Sequence, residues 1–308
     1  MTMSREPDLA VKIGPLALKN PVMTASGTFG YGLELKRFCP PEALGAVIAK
    51  GVSLTPWTGN KTPRMAETAG GMLNAIGLEN MGVEAFITKA LPPLKASGAT
   101  VGANILGHSA EEYGALAARL AVTDVDFLEV NVSCPNVACG GLAFGAEPSA
   151  VHEVASAVRE NAGGKPFLVK LTPQASDVVA VAGAAEAAGA SAVSLINTLP
   201  GMAVDLDRRR PRLANVVGGL SGPAVKPVAL RQVWQCAAAL KIPVVGLGGI
   251  VSARDALEFI LVGATAIQVG TATLVDPRAA LNIVNGIRQW MLQEGLDDLG
   301  QLRGALKI

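Results

Sequence analysis

The sequence predicts a single (β/α)8 barrel carrying an N-terminal hairpin and inserted loops at the strand ends. Three observations lead there. Short apolar runs alternate with Ala-rich helical stretches over all 308 residues, glycine is abundant at 35 positions, and no Pro- or Ser-rich linker divides the chain. Repeated strand–helix alternation implies a parallel sheet. Eight strands with few long interruptions favour a closed one, of a size normal for one barrel domain spanning residues 1–308.

The predicted strands are Val22–Ala25, Ala46–Lys50, Thr100–Ile105, Phe127–Val132, Phe167–Leu171, Ala192–Asn197, Pro243–Leu247 and Ala266–Gly270. Helical patterns cover Val83–Lys95, Glu111–Ala121, Ser149–Asn161, Asp177–Ala188, Ala224–Leu240, Ala253–Val262 and Pro277–Glu294. Ser176-Asp177 and Ser252 stand where N-caps belong. Before the first strand, Val11–Asn20 reads as a hairpin over Gly14-Pro15 that could plug the barrel floor. Ser53–Met81 is a long irregular insertion after the second strand, and barrels build their sites from such segments.

Apolar residues make up 50% of the chain and charged ones 17%, which excludes a disordered protein. A net charge of +1 and the absence of any nucleic-acid module give no case for nucleic-acid binding. The stretch MTMSREPDLAVKIG lacks the apolar centre of a signal peptide. The longest uncharged run, Phe259–Val275, is broken by Gly263, Gln268 and Gly270, so it reads as a helix end, turn and buried strand. No membrane span is expected, and the expected location is the cytoplasm. Cys39, Cys134, Cys139 and Cys236 show no zinc-type spacing, so no metal site is expected. The Cys134-x4-Cys139 spacing echoes part of a ferredoxin pattern, but the rest of that pattern is missing. Free thiols are expected.

Polar residues gather at the strand ends: Ser26, Lys50, Asn104, Asn131 to Cys134, Lys170, and Asn197 with Thr198. Gly248-Gly249 and Gly270-Thr271 follow strands seven and eight. Singly these are solvated lysines, capping asparagines and ordinary turns. Together they converge on one barrel mouth. Loops after the last two strands commonly hold a phosphate on glycine N–H groups. A dinucleotide fingerprint fails, because Val251 stands where the third glycine should be, and Gly59-Asn60-Lys61-Thr62 lacks P-loop spacing.

Asn131-Val132-Ser133-Cys134-Pro135-Asn136 resembles the active-site loop of class 1 dihydroorotate dehydrogenases. Asn74-Ala75-Ile76-Gly77-Leu78-Glu79-Asn80 resembles their substrate loop, and Leu195-Ile196-Asn197-Thr198 and Gly218-Gly219-Leu220-Ser221-Gly222 resemble two further signatures. The likeness runs in order from about Leu9 to the C-terminus. Class 2 members have a membrane-associating extension and a serine base, neither of which is present. The continuation from Val137 to Gly145 is similar to class 1B, although Ala138 and Cys139 differ from the usual loop residues.

The resemblance implies oxidation of dihydroorotate to orotate, with Cys134 taking the C5 proton while C6 gives hydride to FMN. It implies that Lys50, Asn74, Ala75, Ile76, Gly77, Leu78, Asn131, Asn197 and Thr198 bind substrate. Ser26, Lys50, Gly51, Asn104, Asn131, Lys170, Ile196, Gly222, Gly248, Gly249, Gly270 and Thr271 would bind FMN, with Lys170 countering charge at the N1–O2 edge. It also implies an electron-transfer subunit carrying FAD and a [2Fe–2S] cluster, in a heterotetramer of two catalytic and two such chains. His108 and His152 receive no role. Two other readings compete: a fumarate-reducing class 1A-like enzyme or other FMN-barrel reductase, and a non-catalytic barrel that binds a phosphate ligand.

Overall fold

The computed structural model describes residues 6–132 and 145–308. Eight parallel strands form one sheet: β3 (Val22–Thr24), β4 (Val47–Ile48), β7 (Val101–Ile105), β8 (Phe127–Asn131), β9 (Phe167–Lys170), β10 (Ala192–Leu195), β15 (Val244–Leu247) and β16 (Ala266–Val269). Their spatial order is β3-β16-β15-β10-β9-β8-β7-β4. The ring closes where β3 meets β4, through a Met23–Ala46 bridge and a Gly45 N–H donated to Val22 O at 2.8 Å. β4 is only two residues long, and the Thr24 side chain completes that seam. Thr24 Oγ1 accepts from Ile48 N–H at 2.9 Å and donates to Ile48 O at 3.3 Å.

Residues two apart on a strand share a face, and the inward faces sort into layers. Met23, Ala46, Ile48, Phe127, Leu168, Ala192, Val245 and Ala266 form one apolar floor, together with Ile13 and Leu18. The last two come from β1 (Val11–Ile13) and β2 (Leu16–Leu18), an antiparallel hairpin turning at Gly14 with φ +57°. The hairpin therefore plugs the barrel floor, as the sequence predicts. Phe127 is its largest fully buried side chain, and a Cβ on Gly102 would stand 2.3 Å from the Phe127 ring. Truncating Phe127 to Ala would cost about 3–5 kcal/mol. Two residues further along the same strands the layer turns polar, with Glu129, Lys170, Ser194 and Gln268 all buried.

The helices outside the barrel are α1 (Val83–Ala85), α2 (Leu91–Ala96), α3 (Ala110–Ala121), α4 (Pro148–Asn161), α5 (Val178–Ala187), α6 (Lys226–Ala239), α7 (Ala253–Leu261), α8 (Ala272–Val275) and α9 (Ala279–Glu294). Asp177 caps α5 by accepting from Val179 and Ala180 N–H, and Ser252 with Asp255 makes a capping box on α7. The helix expected over Val83–Lys95 is not uniform. A π-helical turn, Phe86–Ala90, joins α1 to α2. Pro92 and Pro93 have no N–H to give to carbonyls four residues back, which widens the winding before them. Between β3 and β4 the described chain has a single 3-10 turn, Pro41–Ala43, in place of an α-helix.

Two insertions cooperate above the barrel. β5 (Met65–Thr68) and β6 (Gly71–Asn74) come from the segment the sequence left irregular. β11 (Leu199–Met202) and β14 (Val217–Ser221) come from a segment with no predicted strand. They form one antiparallel sheet in the order β11-β14-β6-β5, with a small core of Ala66, Leu73, Ala75 and Leu213. A further ribbon, β12 (Val204–Asp205) with β13 (Arg210–Pro211), extends outward.

Candidate functional site

A cavity of about 350 Å³ opens where the C-terminal strand ends meet the inserted sheet. It has the size of a small-ligand site. Its wall includes Ser26, Lys50, Gly51, Asn104, Asn131, Lys170, Ile196, Asn197 and Thr198 from the barrel. Asn74, Ile76, Gly77, Leu78 and Gly222 come from the insertions, and Gly248, Gly249, Gly270 and Thr271 from the last two turns. Residues spread over nearly 250 positions of sequence thus surround one space.

Parallel strands place these groups. Asn131 pairs in register with Lys170, and Lys170 with Ser194, so neighbouring strands end side by side. Lys170 is 5% exposed and its Nζ donates to Ser26 Oγ at 3.3 Å. Among the described residues neither Lys50 nor Lys170 forms a salt bridge. A buried ammonium without a carboxylate is costly unless something else supplies negative charge. Lys170 therefore suits a ligand with an anionic or electron-rich edge, and half-buried Lys50 stands on the same wall.

The amides form a second group. Asn197 Nδ2 donates to Asn131 Oδ1 at 3.4 Å, Asn197 Oδ1 accepts from Thr198 N–H at 2.7 Å, and Tyr113 OH donates to Asn131 O at 2.8 Å. Asn74 is carried in by the inserted sheet, where it pairs with Gly219. Only glycine fits at 219, because a Cβ would lie 2.1 Å from Thr198 Oγ1. Amides offer donors and acceptors together, which matches a flat heterocycle carrying both.

The loop after β6 is held by its own contacts. Asn80 is buried, its Oδ1 accepts from Gly82 N–H at 2.8 Å, and its Nδ2 donates to Leu78 O at 2.9 Å. Leu78 itself takes φ +56°. Arg64 and Glu79, both on the cavity wall, form a salt bridge across this loop. Ala75 is placed differently from its neighbours. Its methyl is fully buried in the core of the inserted sheet, its N–H donates to Arg64 O at 2.8 Å, and its O accepts from Asn60 Nδ2 at 3.0 Å. Ala75 therefore supports the loop from behind and is absent from the cavity wall, while its neighbours Asn74 and Ile76 are on it.

The glycine turns approach each other closely. Gly249 has φ +76° and its Cβ would stand 2.9 Å from Gly222 O, while a Cβ on Gly222 would meet Gly71 Cα at 2.7 Å. Thr271 Oγ1 donates to Ser221 Oγ at 2.7 Å beside them. Behind the Gly248-Gly249 turn, Asp255 Oδ2 accepts from Val251 N–H at 3.1 Å and Ser252 N–H at 2.9 Å, and Asp255 Oδ1 accepts from Lys226 Nζ at 2.6 Å. Burial pushes the Asp255 carboxyl up, but Lys226, Ser252 and Val251 as donors outweigh it and hold it below its ordinary value. The same contacts to Asp255 and Glu258 raise the Lys226 ammonium.

Sequence reasoning missed Arg64, Gln268 and Ser221, all on the cavity wall. It also missed Glu129, a fully buried carboxylate beneath the cavity. A charged residue in mid-strand between Leu128 and Val130 was the available signal. Cys134, the expected catalytic base, lies outside the described residues, as does Cys139. Cys39 and Cys236 are free and fully buried, and burial pushes their thiols up to about 11 and about 12. His108 packs against the Trp57 ring, with centroids 4.7 Å apart, and is not on the cavity wall. No group of metal-ligating side chains occurs among the described residues, and none of their helices is long and apolar enough to cross a membrane.

The sequence profile described as dihydroorotate dehydrogenase matches residues 8–291. The chain is 56% identical over 303 residues to "dihydroorotate dehydrogenase B (NAD(+)), catalytic subunit" of Trichlorobacter lovleyi, covering 98% of this chain and 99% of that protein. The proteins of the same description from Geotalea daltonii and Geobacter sulfurreducens are 55% and 54% identical. The alignments cover 98% and 99% of this chain, and 99% and 100% of those proteins. With a profile match over most of its length and relatives this similar along theirs, the chain belongs to the dihydroorotate dehydrogenase family.

Proposed function

We propose that this chain is the catalytic subunit of a class 1B enzyme that oxidises (S)-dihydroorotate to orotate in de novo pyrimidine biosynthesis, using FMN. The observation that carries the reading is the single cavity in which Lys50, Lys170 and the asparagine amides meet the glycine turns of the last two strands. The residues suit FMN at the turns, where the Gly222, Gly248 and Gly249 backbones leave room that side chains would fill.

When bound, FMN supplies the acceptor for the hydride that leaves C6 of the substrate. The chain supplies the rest. Lys50 pairs with the substrate carboxylate, and Asn74, Asn131, Asn197 and Thr198 hold the ring by its amide edges. Ile76, Gly77 and Leu78, on the loop after β6, contact the substrate. Cys134 takes the C5 proton, so that one proton and one hydride leave and the ring gains a C5–C6 double bond. Asn131, three residues before Cys134, is on the cavity wall. Ser26, Gly51, Asn104, Ile196, Gly222, Gly248, Gly249, Gly270 and Thr271 hold the cofactor. Lys170 offers preorganised positive charge as electrons arrive.

The electrons pass onward to a partner chain carrying FAD and a [2Fe–2S] cluster and then to NAD⁺, in an assembly of two catalytic and two electron-transfer chains. The missing dinucleotide fingerprint supports that division of labour. The test uses the purified chain alone. It should be yellow, release FMN and not FAD on denaturation, and reduce artificial acceptors with dihydroorotate while forming little NADH. Rapid NADH formation or efficient turnover with fumarate by the isolated chain would overturn the class 1B reading.

A further inference from the structure

Lys226 opens α6, and its ammonium is held by two carboxylates of α7. Its Nζ donates to Asp255 Oδ1 at 2.6 Å and to Glu258 Oε2 at 2.8 Å. Asp255 divides its two oxygens between different elements. While Oδ1 takes Lys226, Oδ2 accepts from Val251 N–H at 3.1 Å, Ser252 N–H at 2.9 Å and Ser252 Oγ at 2.7 Å. One carboxylate thus ties the start of α6 to the second half of the turn after the seventh barrel strand.

The first half of that turn is Gly248-Gly249, which is partly exposed and lies on the cavity wall. It packs directly on Lys226. A Cβ on Gly249 would stand 2.7 Å from Lys226 Cβ and 2.9 Å from Lys226 N. With no side chain between them, a shift of Lys226 passes straight to the glycine backbone. Among the described residues nothing accepts from the Gly248 or Gly249 N–H, whereas Asp255 takes those of Val251 and Ser252. Lys226, Asp255 and Glu258 are themselves absent from the cavity wall. The ammonium is already matched by two carboxylates, so it is not left over for an anion. The Lys226 and Asp255 side chains are 24% and 12% exposed, and a charge-assisted bond shielded to that degree fixes a geometry.

On the FMN reading, which puts the cofactor's phosphate at this turn, we propose that Lys226 and Asp255 are positioning residues. Together with Glu258 they clamp Gly248-Gly249 between α6 and α7, and so set how tightly the chain holds a flavin's phosphate without touching it. Loosening the clamp lets the glycine backbone drift from the geometry that suits the phosphate, while the walls that meet the flavin ring stay in place.

The test compares apoprotein affinity for FMN and for riboflavin, which lacks the phosphate, read by quenching of flavin fluorescence. The parent chain should prefer FMN strongly. Lys226→Met keeps the aliphatic stem and should shrink that preference by about tenfold, the scale of one lost hydrogen bond to a charged group. Asp255→Asn should shrink it alike, and the double variant should lose little more than either single one, because both break the same link. A lysine that touched the phosphate directly would behave differently: Asp255→Asn would release it, and the preference would hold or rise. Should either variant fail to fold, Glu258→Gln takes its place, since it loosens the same ammonium. A merely structural group would lower affinity for both flavins by one factor and leave their ratio unchanged. An unchanged ratio in Lys226→Met, or a preference that holds or rises in Asp255→Asn or in Glu258→Gln standing in for it, overturns the positioning role. So does a double variant whose loss is the product of the two single losses. A parent chain that binds both flavins equally removes the phosphate from this turn, and one that binds neither overturns the FMN reading itself.

Discussion

Lys170 Nζ lies 3.3 Å from Ser26 Oγ, tying the end of the fifth barrel strand to the turn after the first across the barrel mouth. The hydroxyl fixes the direction of an ammonium that is 5% exposed and has no salt bridge among the described residues. That fixed charge is the electrostatic element of the proposed chemistry. Lys170→Met keeps the aliphatic volume and removes the charge. FMN should stay bound, while reduction by dihydroorotate should slow by ~10²-fold, the scale of losing one preorganised charge-stabilising group. Stopped-flow absorbance checks this, and an unchanged rate with full flavin would remove Lys170 from the mechanism.

Lys50 ends the second barrel strand and lines the same cavity. If it meets the substrate carboxylate, Lys50→Ala loses a charge-assisted hydrogen bond. Dihydroorotate should then bind about 10–100-fold more weakly. Orotate carries the same carboxylate and should weaken alike, which titration of the flavin spectrum with orotate measures. Equal affinity in parent and variant would make Lys50 an ordinary strand-end lysine.

How much of this was legible beforehand depended on the range of the interactions. The barrel strands could be read because each is a short apolar run, several with a polar residue at or near the end, such as Lys50, Asn131, Lys170 or Asn197. The floor hairpin could be read from Gly14-Pro15 between the short runs Val11–Ile13 and Leu16–Leu18. The inserted sheet could not. Its strands pair across the chain, Asn74 with Gly219, and Pro200, Gly201, Gly218 and Gly219 hide the alternation that marks a strand. Glu129 and Gln268 each interrupt an apolar run in the sequence, and only the closed barrel brings them within 2.6 Å. Ala75 belongs to the substrate loop through the family resemblance, and its burial behind that loop follows from the sheet the sequence does not display.

Asp255 makes the Gly248-Gly249 turn sensitive to acid. Its carboxyl is held below its ordinary value of 3.8, so its contribution to stability is complete above that value and is lost as pH falls through the lower folded one. Asp255→Asn should lower stability near neutrality by about 1–2 kcal/mol, the scale of a lost helix cap. The Tm gap between parent and variant should close as pH drops below 3.8. A gap that is constant with pH would show that the charge on Asp255 contributes nothing.

Gly249 offers a test of the turn after the seventh barrel strand that does not add bulk to the ligand space alone. Its φ of +76° and a Cβ position 2.7 Å from Lys226 Cβ mean that even Gly249→Ala must shift the turn. FMN content should fall in that variant while the barrel, whose floor lies at the opposite end, keeps its far-ultraviolet circular dichroism. Full FMN retention would separate this turn from the cofactor.

The central claim is that dihydroorotate gives up a proton to Cys134 and a hydride to bound flavin. The most direct measurement is the single-turnover rate at which dihydroorotate bleaches the flavin under anaerobic conditions, in the parent, Cys134→Ala and Cys139→Ala. The parent and Cys139→Ala should bleach at similar rates. Cys134→Ala should remain folded and yellow and still bind orotate, but bleach ~10²–10⁴-fold more slowly, the usual worth of general-base assistance. Bleaching of Cys134→Ala at the parental rate would contradict the assignment of the base, and a parent chain whose flavin dihydroorotate does not bleach at all would contradict the proposed activity.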